Sequence, residues 1–378
     1  MENNEHGRLD FPGEAIRREL ERRGWGQDDL AKIINRPPPR ITGLIQGKIA
    51  ISPEIAAELS AALGGTAEEW LRREALYRLS LESTDTTLIK RRARLHEIAP
   101  VKEMARRGWI SPTADPEQEI LRFYQMPDLE ATPEIHGAMR KTAPLAPATP
   151  AQIAWAFRVR QLGAAIPDAS VGKYDASRLG TLAQKLRKLA AYSSEASKVP
   201  SLLHSYGIRF VVVEGLAGAK MSGFATWLDE DRPVIGMSLK YNRLDSFWFT
   251  LCHEAIHVKH RDIAPVDGDV SYIEEVPLEV EPFIERRANE EGAAMLISPE
   301  ELQSFINRVG PLYSSERINQ FANRIKMHPN IVVGQLKHRA EILQSAHNKN
   351  VVKIRDAVTG SAIVDGWGKT INEGAING

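Results

Sequence analysis

The chain holds one cysteine, Cys252, in 378 residues, so no disulfide can close within it and a reducing compartment is expected. It has no excess of either charge: 49 basic side chains balance 49 acidic ones, for a formal net charge of +0. Without a global field, any contact with DNA must rest on a local basic surface. No apolar run has the length that crosses a bilayer. The first residues, Met1-Glu2-Asn3-Asn4-Glu5, lack the basic-then-apolar order of a secretory signal. These absences predict a cytoplasmic protein with no membrane partner. What is present, 43% hydrophobic and 26% charged residues, is ordinary for globular domains, and the length allows two or three cores.

Short helical patterns open the chain. Ile16, Leu20 and Trp25 suit the buried side of a first helix, closed by Gly24 and Gly26. Leu30, Ala31, Ile33 and Ile34 predict a second from Gln27 to Asn35, which Arg36-Pro37-Pro38-Pro39 should break. A third is expected from Arg40 to Gln46, with Ile41, Leu44 and Ile45 buried and Gly47 as its stop. Ser52-Pro53-Glu54 is an N-cap followed by proline at the first helical position, opening a helix with Ile55, Ala56, Leu59 and Leu63. Two short helices around a tight turn in a small bundle describe a helix-turn-helix. Arg36, Arg40 and Lys48 form its local basic cluster and suit phosphates better than base edges.

The stretch from Trp25-Gly26-Gln27-Asp28-Asp29-Leu30-Ala31 through Ile49-Ala50-Ile51-Ser52-Pro53-Glu54 to Glu69-Trp70-Leu71 resembles the HigA/VapI branch of the Xre-type repressors. That resemblance implies that the third helix enters the major groove, with Arg40, Thr42, Gln46 and Lys48 facing DNA. The chain departs from the pattern at Pro39-Arg40, where Gln-Thr is common, and at Gly43, where glycine should weaken the helix. A dimerisation or protein-recognition bundle is the plainer alternative.

The middle is helix-rich and chemically quiet. Lys90, Arg91, Arg92 and Arg94 read as a solvated helix face, and 142–150, rich in Pro, Ala and Thr, reads as a connector. Around residue 200 the pattern changes to short β-branched runs: Ile208–Val213, Met221–Trp227 and Pro233–Leu239 are predicted strands. They lead to an apolar helix carrying His253-Glu254-Ala255-Ile256-His257, an HExxH pentapeptide. Imidazoles four residues apart on a helix share a face and can grip one metal ion, with the intervening Glu beside a metal-bound water. Strands followed by such a helix are the arrangement of a zincin-type metallopeptidase, where an edge strand can pair with an extended peptide.

A third ligand is needed, with one position left for water. Of the carboxylates after His257, Glu285 is favoured because Asn289 lies one helical turn on, where it can hydrogen-bond a ligand histidine. Glu281, just before Pro282, is its rival. Phe249-Thr250-Leu251 before the pentapeptide, the Glu-x-x-Ala-Asn helix ending in Leu-Ile-x-Pro, and Ile331-Val332-Val333-Gly334-Gln335-Leu336 resemble the ImmA/IrrE family. The resemblance covers about residues 195 to 340 and implies a Zn2+ peptidase acting on Xre-type repressors. His253, His257 and Glu285 are then the metal ligands and Glu254 the general base. The match departs at Glu291-Gly292, where Phe-Ala is usual. Tyr272, His260 and His338 are candidates for a second oxyanion donor; Cys252 reads as a small buried hydrophobe.

The expected fold is therefore α+β. A helix-turn-helix bundle spans 1–80, a helical connecting region 81–193, a zincin-like domain with a small sheet 194–345, and a tail with a short strand or hairpin 346–378. Expected partners are DNA, a protein substrate and a second copy of the chain. A ligand-sensing regulator with little proteolysis is the alternative function, and self-cleavage in the connector a third.

Overall fold

The structure, a computed structural model, describes residues 11–81, 86–135, 137–141, 148–262 and 283–367. Tyr272, Glu281, most of the expected connector and the last glycines lie outside the described residues. The chain divides into two compact units, 1–89 and 90–378. Among the described residues no helix is long and apolar enough to cross a membrane.

In the first unit, helices Pro12–Arg23, Gln27–Ile33, Pro38–Ile45, Pro53–Leu63 and Ala67–Leu81 enclose Ile16, Leu30, Ile41, Ile55 and Leu59, all fully buried. Gly24 ends the first helix in the left-handed region at φ 67°. Ser52 caps the fourth, its hydroxyl accepting from the Ile55 amide at 3.3 Å. The third helix begins two residues earlier than expected. Pro38 and Pro39 form its first turn, where amide hydrogens have no intrahelical acceptor and their loss costs little. Gly43 also acts differently from expectation: a Cβ there would lie 2.6 Å from Ile49 Cδ1, so the glycine admits Ile49 against the helix.

Among the described residues the second unit is built on a five-stranded mixed sheet. Its strands are β1 (Gly137–Lys141), β2 (Arg209–Val212), β3 (Met221–Trp227), β4 (Pro233–Met237) and β5 (Ile363–Val364), in the order β1-β3-β4-β2-β5. β3 runs antiparallel to both β1 and β4, whereas β2 is parallel to both β4 and β5. Side-chain alternation along the strands separates two cores. Val211, Phe224 and Val234 join Trp155 and Val159 on one side; Phe210, Val212, Ala225 and Ile235 join Trp248 and Leu251 on the other.

The first of these cores belongs largely to the expected connecting region. Helix Pro150–Ala165 lies on the sheet so closely that a Cβ on Gly236 would meet Val159 Cγ1 at 2.4 Å. Trp155 Nε1 donates to Val213 O at 2.9 Å and Gln152 Nε2 to Ala219 O at 2.7 Å. Residues 150–165 thus form a layer of the sheet unit as well as a link. The tail is likewise built in: β5 extends the sheet, and Ile354 and Val358 are buried in the second core. The short strand expected in the tail is β5, and Val351–Ile354 precedes helix Arg355–Thr359.

Candidate metal centre

Helix Leu244–His260 carries the pentapeptide and is buried almost all round, from Leu244 and Trp248 to Cys252, His253, Glu254 and His257. A helix lodged between a sheet and other helices can afford little polar surface, so its buried polar residues must find partners. Helix Phe283–Leu296 packs along it through Ala288, Gly292 and Leu296. A Cβ on Gly292 would sit 2.9 Å from the His253 backbone nitrogen, and this glycine sets the close approach of the two helices. Glu291 beside it lies at the surface, taking Lys259 Nζ at 2.7 Å and His260 Nε2 at 3.0 Å. The departure at Glu291-Gly292 therefore builds a tighter helix pair with a polar rim.

This packing brings three ligand atoms together. His253 Nε2 and His257 Nε2 are 2.9 Å apart; Glu285 Oε2 is 3.3 Å from the first and Glu285 Oε1 3.4 Å from the second. All three side chains are buried or nearly so. Donors bound to one tetrahedral ion at about 2.0–2.2 Å stand about 3.3–3.6 Å from each other, which the carboxylate separations match while the two nitrogens stand closer. The outer nitrogens are also committed: His253 Nδ1 donates to Asn289 Oδ1 at 2.9 Å and His257 Nδ1 to Asp262 Oδ2 at 2.8 Å. Both ε lone pairs then point inward toward a carboxylate, a set of donors that a cation satisfies. His253, His257, Glu285 and Asn289 are thus brought together in the structure.

Asp262 is the residue that spacing missed. Helix Leu244–His260 ends at Arg261, which turns left-handed at φ 51°, and the Asp262 amide donates back to His257 O at 3.1 Å. That turn folds the Asp262 carboxylate onto the His257 ring, with Arg287 on its other oxygen. Burial pushes the Asp262 carboxyl up, but hydrogen bonds from His257 and Arg287 hold it below its ordinary value. An aspartate five residues after the second histidine was a clue in the sequence; its direction depended on the left-handed turn.

Glu254 is fully buried beneath β3. A Cβ on Gly223 would come within 2.3 Å of Glu254 Oε1, so that strand passes over the carboxylate where only glycine fits. Of the suggested oxyanion donors, His260 turns to Glu291, while His338 packs its ring 5.1 Å from that of Phe249. Phe249, Gln335 and His338 line a cavity of about 360 Å³. Cys252 is buried, and burial pushes its thiol up to about 12, so it behaves as a hydrophobe.

In the helix-turn-helix, the candidate DNA residues divide. Gln46 and Lys48 are exposed at the end of the third helix. Thr42 is half-buried, its hydroxyl donating to Gln27 Oε1 at 3.0 Å, so Gln27 joins the second and third helices across the turn. Arg40 is also half-buried. Arg36 turns toward the fourth helix and pairs with Glu54 and Glu58, which raise its pKa. The basic cluster expected from Arg36, Arg40 and Lys48 is reduced accordingly.

Residues 16–71 match the Helix-turn-helix family, and the first unit carries a domain of that kind. The chain is also similar to an uncharacterized HTH-type transcriptional regulator, YddM, of Escherichia coli (strain K12). The two are 29% identical over 84 residues, covering 22% of this chain and 88% of that protein.

Proposed function

We propose that the protein is a zinc-dependent endopeptidase of the ImmA/IrrE kind, joined to a DNA-binding helix-turn-helix domain and directed at an Xre-type repressor. The convergence of His253, His257 and Glu285 beside the buried Glu254 carries this reading. Three protein donors leave a coordination position open, the pattern of catalytic zinc sites. Zinc, when bound, supplies Lewis-acid activation of a water and of the scissile carbonyl. Glu254, confined under Gly223, accepts the proton of the attacking water and returns it to the leaving amine. Asn289 and Asp262 hold the imidazoles with their ε nitrogens inward.

The substrate class rests on the first unit. A repressor-like bundle that pairs with its own kind, or binds the same operator, brings a repressor within reach of the peptidase. Exposed Gln46 and Lys48 support DNA contact, with Arg40 and Thr42 behind them and Arg36 acting mainly within the fold. The test is cleavage of an Xre-type repressor by the zinc-loaded protein. Glu254→Gln should stop cutting while metal content is unchanged; cutting that persists would remove Glu254 from the mechanism.

The helix-turn-helix match and the regulator relative favour a second reading, a transcriptional regulator whose metal domain senses a ligand. It predicts operator binding that weakens steeply with salt and on Lys48→Ala, with no cleavage of any repressor. Binding that ignores both salt and Lys48 would exclude it.

A further inference from the structure

We infer that β1 occupies the place where an extended peptide substrate pairs with the peptidase, so that the resting protein blocks its own cleft. The inference rests on the peptidase reading above. β3 is the strand that crosses Glu254. Its inner side is paired with β4 and its outer side with β1, antiparallel and in continuous register from Gly137↔Thr226 to Arg140↔Gly223. The strand nearest the candidate base therefore has both edges filled, one of them by five residues of this same chain. Arg140 stands opposite Gly223, the residue against the Glu254 carboxylate, and the ladder is irregular between Arg140 and Lys141. β1 also packs against the HExxH helix, so the paired edge of β3 lies beside the candidate metal-bearing helix, where a peptide adding to that edge would run.

The sequence of β1, Gly137-Ala138-Met139-Arg140-Lys141, is suited to a removable strand. It has no β-branched residue and begins on glycine, so its own preference for an extended state is weak. Tethering does the rest. A segment held on the same chain acts at an effective concentration on the order of 1 mM, so a peptide at about 10 μM competes at a disadvantage of about 100-fold. The partner that opens the site is accordingly one that offers a better strand, an unstructured, extended and β-branched peptide segment.

The test uses the full chain, zinc-loaded, with a fluorescein-labelled peptide reproducing residues 134–141. Two variants loosen β1: the set Ala138→Ser, Met139→Gly, Arg140→Ser and Lys141→Gly, and the milder Met139→Pro. In a Glu254→Gln background each should bind the peptide at least about 10-fold more tightly than the unmodified strand allows. With Glu254 present, hydrolysis of an extended reporter peptide should rise by about the same factor. In the chain with native β1, peptide at millimolar concentration should speed amide exchange across 137–141. Equal peptide affinity with and without the β1 changes, or exchange unaffected by peptide, overturns the inference. Peptide binding that follows β1 while no variant hydrolyses anything leaves the strand exchange standing and removes the peptidase reading instead.

Discussion

Replacing Asp262 probes the candidate metal centre without touching a proposed ligand. Its carboxylate accepts from His257 Nδ1 at 2.8 Å, and its side chain is only 9% exposed. A hydrogen bond to a charged group of this kind contributes about 1.5–3 kcal/mol, or about 10–150-fold in an equilibrium constant. Loss of such a partner behind a ligand histidine typically weakens metal binding about 10–100-fold, so the two figures agree. Asp262→Asn keeps an acceptor but turns an amide toward Arg287 and should fall near the lower end. Asp262→Ala also leaves Arg287 without its carboxylate and should fall near the upper end. The assay is competition for zinc against a chromophoric chelator, with melting temperatures of the metal-free and metal-loaded forms. At fixed excess zinc, a 30-fold loss removes about 2 kcal/mol of ligand stabilisation, or about 4–8 °C of the holo melting temperature. Affinity unchanged within about 2-fold, or an equal drop in both forms, would show that Asp262 supports the fold and not the metal.

Gly223→Ala places a methyl on the Glu254 carboxylate and should leave zinc affinity within about 3-fold while repressor cleavage falls at least about 100-fold, as judged by chelator competition and gel assay. Gly13→Ala sets a Cβ 2.1 Å from Ile45 O, a backbone atom that cannot swing aside, and should destabilise the first unit by about 1–3 kcal/mol. Gly43→Ala meets the Ile49 side chain, Cδ1 at 2.6 Å and Cγ1 at 2.8 Å, but no backbone, and a gain in helix propensity of about 1 kcal/mol should leave it less destabilising than Gly13→Ala. Denaturant unfolding of the two variants checks the order. The buried Cys252 thiol, raised from 9.0 to about 12, favours the fold fully below the unfolded value and loses that contribution as pH climbs toward 12. Between pH 7 and 8.5 a thiol reagent should therefore label only unfolded protein, and rapid labelling of the native state would contradict the burial.

The cluster of His253, His257 and Glu285 was legible as a candidate site because its residues sit at helical intervals. His253 and His257, then Glu285 and Asn289, are each one turn apart, and that spacing survives into three dimensions unchanged. Asp262 was harder, since it reaches His257 only through the left-handed turn at Arg261. In the first unit the proline run does end the second helix, as read, but Pro38 and Pro39 also open the third, in a first turn that needs no amide donors. Arg36 looked available to phosphate because its acceptors, Glu54 and Glu58, are remote in sequence. Strand β1 carried no local signal, for neither alternation nor β-branching marks 137–141; pairing with β3 defines it. The layer formed by Pro150–Ala165 falls in the stretch read as helix-rich, and its docking on Gly236 is a tertiary fact.

The order of the strands has a consequence for how the molecule is made. Among the described strands β1 is the first to be synthesised and β5 the last, and the two form opposite borders of the sheet. The fully buried β2 therefore keeps a bare hydrogen-bonding border on the ribosome until Ile363 and Val364 emerge, long after the helical first unit is complete. Nascent chains cut short before Ile363 retain that border permanently. They should recruit a strand from a neighbour and accumulate as aggregates.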